Sequence, residues 1–443
     1  SYRMLSSFEY DSATGLLLKQ NYGNGDYINY SYDNLDRLSY KMYNGDGNRK
    51  LSYSYGRDGN IASNFDSATG EKTVFCYDLA NRAVGQKTYV GSTLSSSLAY
   101  IYADKTNYLV GVKHKFALGE QTIGYRYGNL SVGEMPDQIY GVTWNGKEKI
   151  GYSYDGFGRI TDKTVMPSLS KTLHNRYTYY NRESGNRTST TVKSLETANG
   201  TYTYTYDAVG NILSINDGTY TVSYVYDGLN QLVRENDQRA DTTTVYTYTN
   251  GNITGKKVYK YTLGNVGEEI KSTSYGYSNS EWRDLLTSFN GQAVTYDEIG
   301  NPLTFGSKSF EWCGRQLERI TDGDNTYVYA YNTDGDRVSK TVNGVKTEFF
   351  YNGSILAGQK TGDETLIFMY DNNGDAFGFI YNGEEYYYIK NVQNDIVAIA
   401  DKNGTVVANY YYDAWGNVTR ITGNIALAQT NPLRYRSYYY DSE

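Results

Sequence analysis

Polar and aromatic residues alternate along most of this chain. In residues 201–206 three tyrosines alternate with three threonines, which places each set on its own face of an extended strand. Residues 223–226, 245–248 and 328–331 repeat the arrangement with small or β-branched residues between the tyrosines, and such residues favour strands. No segment has a convincing helical period, and residues 425–429 are too short for one. We therefore predict an all-β protein with negligible helix.

A short motif interrupts the alternation at regular places. It reads Tyr, Asp, two variable residues, Gly, Arg or Asn, and an aliphatic residue. The Asp can accept hydrogen bonds from backbone N–H groups two residues on, and the Gly can supply the φ > 0 conformation of tight hairpin loops. We predict that each copy is a structural hairpin tip, with Tyr ending one strand and the aliphatic residue beginning the next. The clearest tip residues are Tyr154, Asp155, Gly158, Arg159, Tyr206, Asp207, Gly210, Tyr296, Asp297, Gly300, Tyr412, Asp413 and Gly416.

The spacing of the copies predicts a tandem array. The first four copies begin at Tyr10, Tyr32, Tyr55 and Tyr77. The spacing of 22 or 23 residues leaves room for two strands of about 7 residues and two short turns. The pattern weakens over about 103–149, and no linker separates two compositions. We interpret residues 1–443 as one continuous array.

An array of this length predicts a curved sheet. About 20 hairpins would give about 40 strands, and at about 4.8 Å per strand the ribbon would run about 190 Å. Open twisted sheets rarely exceed about ten strands without curling. A single closed turn, about 60 Å across, is too wide to be filled by its own side chains. We expect a coiled or spiralling β-sheet shell, meaning a large hollow barrel or part of one.

Composition fits many paired strands. The chain has 52 Tyr against 13 Phe, and only 4 Pro, a residue that would remove ladder hydrogen bonds. The net charge is −7 without a Lys/Arg block, so we predict no nucleic-acid partner. No run approaches the roughly 20 apolar residues of a membrane span. We interpret Cys76 and Cys313 as unpaired thiols.

The candidate chemistry is sparse, and we predict no catalytic, cofactor-binding or metal-binding residues. Turn formation explains the tip aspartates, and the Asp-rich runs 322–325 and 334–336 lack EF-hand spacing. His114 and His174 have no metal-ligand spacing, and no nucleophile-elbow, phosphate-loop or zinc-protease motif is present. The tryptophans could stack on sugars, although core packing is favoured. They are Trp144, Trp282, Trp312 and Trp415.

The repeated Tyr-Asp-x-x-Gly-Arg/Asn motif resembles the YD repeat of Rhs-type proteins over essentially the whole chain. Residues 386–443 are similar to the C-terminal, core-associated stretch of bacterial Rhs arrays. The resemblance implies a spiralling shell, as in Rhs toxins, insecticidal toxin-complex cocoons and teneurins. In toxin members the shell encloses a C-terminal toxin, which a core domain cuts free by aspartyl self-cleavage. Such a core and toxin would lie beyond residue 443, so we expect no enzyme activity here.

The hypothesis is therefore a non-enzymatic shell segment of a bacterial Rhs-type polymorphic toxin. Its expected partner is its own downstream core and toxin cargo, and its parent would be secreted or on the cell surface. The alternative is a cell-surface adhesion or carbohydrate-binding YD-repeat protein with glycans as partners. The chain starts and stops within repeat-like sequence, so we expect an internal segment of a longer protein, and the lack of a targeting signal says nothing about that parent.

Overall fold

The computed structural model describes residues 5–44, 49–104, 106–168, 170–182, 187–332 and 334–443. These residues form 38 strands, one short α-helix and two 3₁₀ turns. The prediction of an almost wholly β protein is confirmed.

The strands follow one another along the whole chain. The first thirteen are β1 (Ser6–Tyr10), β2 (Leu17–Tyr22), β3 (Tyr27–Tyr32), β4 (Leu38–Tyr43), β5 (Arg49–Tyr55), β6 (Ile61–Asp66), β7 (Glu71–Tyr77), β8 (Ala83–Val90), β9 (Thr93–Tyr102), β10 (Leu109–Phe116), β11 (Gly119–Tyr127), β12 (Ile139–Trp144) and β13 (Lys147–Tyr154). The next thirteen are β14 (Ile160–Ser168), β15 (Lys171–Arg182), β16 (Arg187–Thr197), β17 (Gly200–Tyr206), β18 (Ile212–Asn216), β19 (Thr221–Tyr226), β20 (Leu232–Asp237), β21 (Thr242–Thr249), β22 (Asn252–Lys260), β23 (Glu269–Gly276), β24 (Ser288–Phe289), β25 (Gln292–Tyr296) and β26 (Pro302–Phe305). The last twelve are β27 (Lys308–Cys313), β28 (Gln316–Asp322), β29 (Asn325–Tyr331), β30 (Arg337–Val342), β31 (Val345–Asn352), β32 (Ile355–Thr361), β33 (Glu364–Tyr370), β34 (Ala376–Tyr381), β35 (Glu384–Lys390), β36 (Ile396–Asp401), β37 (Val406–Tyr412) and β38 (Val418–Gly423).

The strands are distributed between two compact units, each built from two chain segments. The first unit is Ser1–Thr122 with Tyr275–Thr365, and the second is Ile123–Ser274 with Leu366–Glu443. Within each unit a strand pairs antiparallel with the next strand along the chain, as β13 does with β14 and β29 with β30. The interpretation of residues 1–443 as one continuous array stays a prediction.

One element departs from the sequence prediction. Residues 425–429, judged too short for a helix, lie in α1 (Ile425–Thr430), so that prediction is wrong for this segment. The Asn424 side chain caps the helix by accepting from the Leu427 N–H at 3.1 Å, and Leu427 and Ala428 are buried. A cap and tertiary packing can stabilise a helix of one or two turns that its own sequence could not.

The second unit has an extensive apolar core. Trp144 and Tyr152, from the strands around β13, are buried together with Met369 and Phe377 from β33 and β34. The Trp144 and Phe377 rings meet edge to face at 6.4 Å, a favoured aromatic geometry. The remaining members of the core are Ile123, Val142, Ile150, Val165, Leu173, Tyr387, Ile389, Ala398 and Ala400.

The first unit contains a buried ion pair. Arg49 is 7% exposed and Asp66 is 1% exposed. The Arg49 Nε lies 3.1 and 3.0 Å from the two Asp66 carboxylate oxygens, and an Arg49 terminal nitrogen donates to the Tyr331 carbonyl at 3.2 Å. The pair therefore connects β5, β6 and the end of β29, which are far apart in sequence.

We expect Asp66→Asn to lower the free energy of unfolding by about 3 kcal/mol, because a neutral amide cannot balance the buried guanidinium. Urea denaturation measures the change. The matched control is Glu348→Gln, which removes the charge from an exposed pair with Lys346 in the same unit (Nζ–Oε1 3.0 Å) and should cost about 0.5 kcal/mol or less. Equal losses for the two variants would contradict a stabilising role for the buried pair.

Candidate functional site

The predicted tips are formed by one recurring loop. Tyr154 is the last residue of β13, and Ile160 is the first of β14. Asp155 Oδ1 accepts from the backbone N–H groups of Phe157 (2.9 Å) and Arg159 (3.0 Å). Gly158 has φ +77° and donates its N–H to the Asp155 carbonyl at 3.0 Å. This is a type I turn closed by a left-handed residue, which is a common hairpin connection.

The other three tips have the same geometry. The Asp207, Asp297 and Asp413 carboxylates each accept two backbone N–H groups of their own loop. The glycine φ values are +99° at Gly210, +88° at Gly300 and +87° at Gly416. In all four hairpins the strand register shifts by one residue just before the tip tyrosine, which is the bulge expected beside such a turn.

The residue after the glycine holds the tip aspartate in place. Arg159 Nε donates to Asp155 Oδ2 at 2.7 Å, and its guanidinium lies 4.4 Å from the ring centre of Tyr179. Partial desolvation raises the pKa of Asp155, but the hydrogen bonds from Arg159 and the loop backbone outweigh it and hold the pKa below its usual value. At the tip at Tyr206 an asparagine replaces the arginine, and Asn211 Nδ2 donates to Asp207 Oδ2 at 2.8 Å. The carboxylates of Asp155 and Asp207 therefore stabilise their own turns.

The tip tyrosine joins its hairpin to the one before it. The Tyr154 hydroxyl donates to the Ile139 carbonyl at 2.7 Å, and the Tyr412 hydroxyl donates to the Ile396 carbonyl at 2.7 Å. In both cases the acceptor is the first residue of the strand that precedes the tyrosine's own strand. We call this bond the tyrosine stitch.

The stitch recurs throughout the described residues. Further pairs are Tyr32 with Leu17, Tyr55 with Leu38, Tyr77 with Ile61, Tyr102 with Ala83, Tyr179 with Ile160, Tyr206 with Val192, Tyr226 with Ile212, Tyr248 with Leu232, Tyr296 with Leu286, Tyr331 with Leu317 and Tyr351 with Arg337. At one tip an indole replaces the phenol, and Trp312 Nε1 donates to the Pro302 carbonyl at 2.7 Å. The motif therefore encodes a joint between hairpins as well as a turn.

The tip at Asp413 is also anchored by charge. Lys256 Nζ lies 2.8 Å from Asp413 Oδ2, and the Trp415 ring centre lies 6.0 Å from that of Tyr246. The Tyr246 hydroxyl donates to buried Glu235 at 3.2 Å. Burial and, to a lesser extent, the nearby Asp413 charge raise the pKa of Glu235 to about 7. Sequence reasoning missed this contact because Lys256 is 157 residues from Asp413.

At two tips, steric contact with an aromatic ring also requires glycine, in addition to the positive φ that the motif predicts. A Cβ on Gly300 would lie 2.6 Å from the Trp282 ring, and a Cβ on Gly416 would overlap the Tyr435 ring. A Cβ on Gly210 would meet nothing within 4 Å. Some tips are thus covered by aromatic rings, and others are open.

The predicted tips of the second unit are separate in their polar contacts. In the second unit, no hydrogen bond or ion pair between described residues joins the tips at 154–159, 206–211 and 412–417 to one another. Three or more His, Cys, Asp or Glu side chains grouped as for a metal ion do not occur in the described part of the chain. The described residues also include no helix long and apolar enough to cross a membrane.

The tryptophans take different places. Trp144 is 3% exposed in the core of the second unit, and Trp282 covers Gly300. Trp312 makes a stitch, whereas Trp415 is 56% exposed at its tip. Cys76 is an exposed free thiol, and Cys313 is half-buried at the end of β27.

Comparison with known proteins places this geometry in context. No family model matches the sequence. Over 208 residues, 45% of this chain, it is 29% identical to the tRNA3(Ser)-specific nuclease WapA of Bacillus spizizenii, and over 211 residues it is 29% identical to the tRNA nuclease WapA of Bacillus subtilis. The matched residues make up only 9% of each relative.

The fold is that of part of a solved toxin complex. The crystal structure of TcdB2-TccC3-TEV matches 99% of this chain with a TM-score of 0.76 at 16% identity, and the match covers 25% of that chain. TcdB2-TccC3 without its hypervariable C-terminal region matches 98% with a TM-score of 0.77 at 15% identity, again over 25% of that chain. The predicted fold class and the resemblance to YD-repeat (Rhs-type) shell proteins are confirmed.

We expect Tyr154→Phe to lower the free energy of unfolding by about 1 kcal/mol, because the Ile139 carbonyl loses its donor while the ring still packs. The control is Tyr386→Phe. The Tyr386 ring stacks on Phe379 at 5.3 Å, but its hydroxyl bonds to none of the described residues, so little change is expected. Urea denaturation of both variants provides the comparison, and equal stability of Tyr154→Phe and wild type would show that the stitch contributes nothing.

Gly416→Ala should destabilise the protein more than Gly210→Ala. Both substitutions force a side chain into φ > 0, which costs about 1 kcal/mol. Only the alanine at 416 also overlaps Tyr435, which should add about 1 kcal/mol or more. A thermal-melt double-mutant cycle with Tyr435→Ala should remove the extra loss. An extra loss that persists without the Tyr435 ring would mean that another contact restricts Gly416.

Proposed function

We propose that this chain is a non-enzymatic wall segment of a YD-repeat shell, and that the shell encloses a toxin cargo carried in the same longer protein. The parent would be a bacterial Rhs-type polymorphic toxin that is secreted or held at the cell surface. The observation that supports this most is the fold match to TcdB2-TccC3 over 99% of the chain. A wall of this kind would act physically, by keeping a partly unfolded cargo away from cytoplasm and proteases.

The geometry of the hairpins supports a role as a wall. Proteases need an extended, accessible segment of backbone, whereas these strands are paired on both sides through most of each unit. The stitches add one side-chain bond between successive hairpins, so opening one hairpin also breaks a bond to its neighbour. Such a surface exposes few local openings at which cleavage could begin.

The relatives support a cargo outside the matched segment. The names of these relatives describe tRNA nucleases. The residues that this chain matches make up only 9% of the length of each relative. The tip aspartates, which would be the obvious acidic residues for chemistry here, are occupied by turn hydrogen bonds. We therefore place any nuclease or other toxic activity of the parent beyond this wall segment.

Limited proteolysis tests the proposal. The parent protein is prepared with a protease-sensitive reporter in the cargo position, in its intact form and with residues 1–443 deleted. We expect slow digestion of the reporter in the intact protein and rapid digestion after the deletion. A third version carries Tyr154→Phe, Tyr179→Phe and Tyr206→Phe, which remove three stitches without removing any strand, and it should give an intermediate rate.

The stitch-deficient variant controls for unfolding, because circular dichroism can show that its strands are retained. Faster digestion of the reporter in this variant would then reflect the missing stitches. Equal digestion of the reporter in the intact and deleted proteins would overturn encapsulation by this segment. Equal digestion in the intact and stitch-deficient proteins would leave the wall in place and show that the stitches do not limit its opening.

A further inference from the structure

One face of the sheet in the second unit carries a row of polar side chains across four strands. Tyr224 of β19 lies opposite Glu235 of β20, which in turn lies opposite Thr244 of β21. Tyr246, two residues further along β21 and so on the same face, lies opposite Lys256 of β22. The Tyr246 hydroxyl donates to Glu235 at 3.2 Å, and Lys256 Nζ lies 5.9 Å from the Tyr246 ring centre. We call Tyr224, Glu235, Tyr246 and Lys256 the polar row.

The tip at residues 412–417 rests on the polar row. Lys256 Nζ lies 2.8 Å from the Asp413 carboxylate, and the Trp415 ring meets the Tyr246 ring edge to face at 6.0 Å. The row belongs to the chain segment Ile123–Ser274, whereas the tip belongs to Leu366–Glu443. The contact is therefore one of the places where the two chain segments of this unit meet.

The charges around Glu235 couple this contact to pH. Glu235 is 3% exposed and forms no ion pair with any other described residue. Asp413 acts on it from the tip and Asp237 from its own strand, while the nearby cation, Lys256, is already paired with Asp413. The other groups that face it are tyrosines that are uncharged near neutral pH, namely Tyr224, Tyr226 and Tyr246. An ionised Glu235 would therefore add an unpaired buried carboxylate beside Asp413.

The pKa of Glu235 sets the pH range and the sign of the effect. Burial and, to a lesser extent, the Asp413 charge raise this pKa from 4.5 to about 7. Because the docked tip contributes to the increase, the docked arrangement binds the proton more tightly than an undocked one. The resulting stabilisation is fully present below a pH of about 4.5 and is lost as the pH rises through about 7.

We propose that Glu235 is a pH-dependent switch, which holds the tip at residues 412–417 on the polar row when protonated and weakens that contact when ionised. With Glu235 protonated, Asp413 and Lys256 form a balanced pair. With Glu235 ionised, lifting the tip separates two carboxylates and admits water to a buried charge. The inference goes beyond the proposed function, because it concerns one contact within the unit and holds whether or not the wall encloses a cargo.

Hydrogen exchange at the tip tests the inference on the intact chain. The probe amides are those of Trp415 and Asn417, which both donate to Asp413 Oδ1 at 3.0 Å. Wild type and Glu235→Gln are compared at the same pH, which cancels the pH dependence of the chemical exchange rate. We expect nearly equal exchange at about pH 5, and exchange about tenfold faster in the wild type at about pH 8.

Two further variants separate the switch from a structural effect. Glu384→Gln is the matched control, because this exposed glutamate pairs with Lys402 outside the polar row and should leave the pH dependence unchanged. Tyr246→Phe removes a hydrogen bond that lowers the pKa of Glu235, so the midpoint of the pH dependence should move to higher pH while the ring still contacts Trp415.

Equal exchange of wild type and Glu235→Gln at about pH 8 would overturn the inference, and so would an unchanged midpoint in Tyr246→Phe. Faster exchange in Glu235→Gln than in wild type at both pH values would also overturn it, because Glu235 would then have only a structural role. Digestion of an enclosed reporter does not enter this test, so either proposal can fail without the other.

Discussion

The structure depends on a hydrogen bond from a tyrosine hydroxyl to a backbone carbonyl one strand back. Each such bond contributes only about 1 kcal/mol, yet it recurs at tip after tip. Its acceptor is a main-chain oxygen, so no second side chain has to be specified for the bond to form. Phenylalanine could pack in the same place but could not donate, which gives a physical reason for tyrosine at these tips.

The rest of the motif positions that hydroxyl. The aspartate and the left-handed glycine close the loop, and the bulge beside the tyrosine sets the direction of its ring. Where the next residue is arginine, as at Arg159, its guanidinium spans from its own tip aspartate to the following tyrosine ring. The turn, the bond from the arginine to the tip aspartate and the tyrosine stitch all form between residues close in sequence. A chain can therefore repeat the whole arrangement without depending on long-range contacts.

This locality explains which features the sequence predicts. Alternation and tip residues identify the strands and loops, because their causes lie within a few residues. The role of Trp312, which stands where other tips have tyrosine, is predictable for the same reason, since an indole N–H can replace a phenol O–H as donor. The contacts of Asp413 with Lys256 and of Gly416 with Tyr435 are not predictable, because they join parts of the chain whose proximity only the folded sheet creates. Helix α1 was missed because a cap and burial, rather than a helical period, stabilise it.

The central claim is that stitched hairpins behave as a cooperative wall rather than as independent units. Native-state hydrogen exchange, followed by mass spectrometry at increasing low concentrations of urea, tests this most directly. Amides of β13 to β18, which lie in one unit and carry successive stitches, should share one opening free energy and one urea dependence. If each hairpin instead exchanged with its own opening free energy, the stitches would not couple the hairpins and the account would be contradicted.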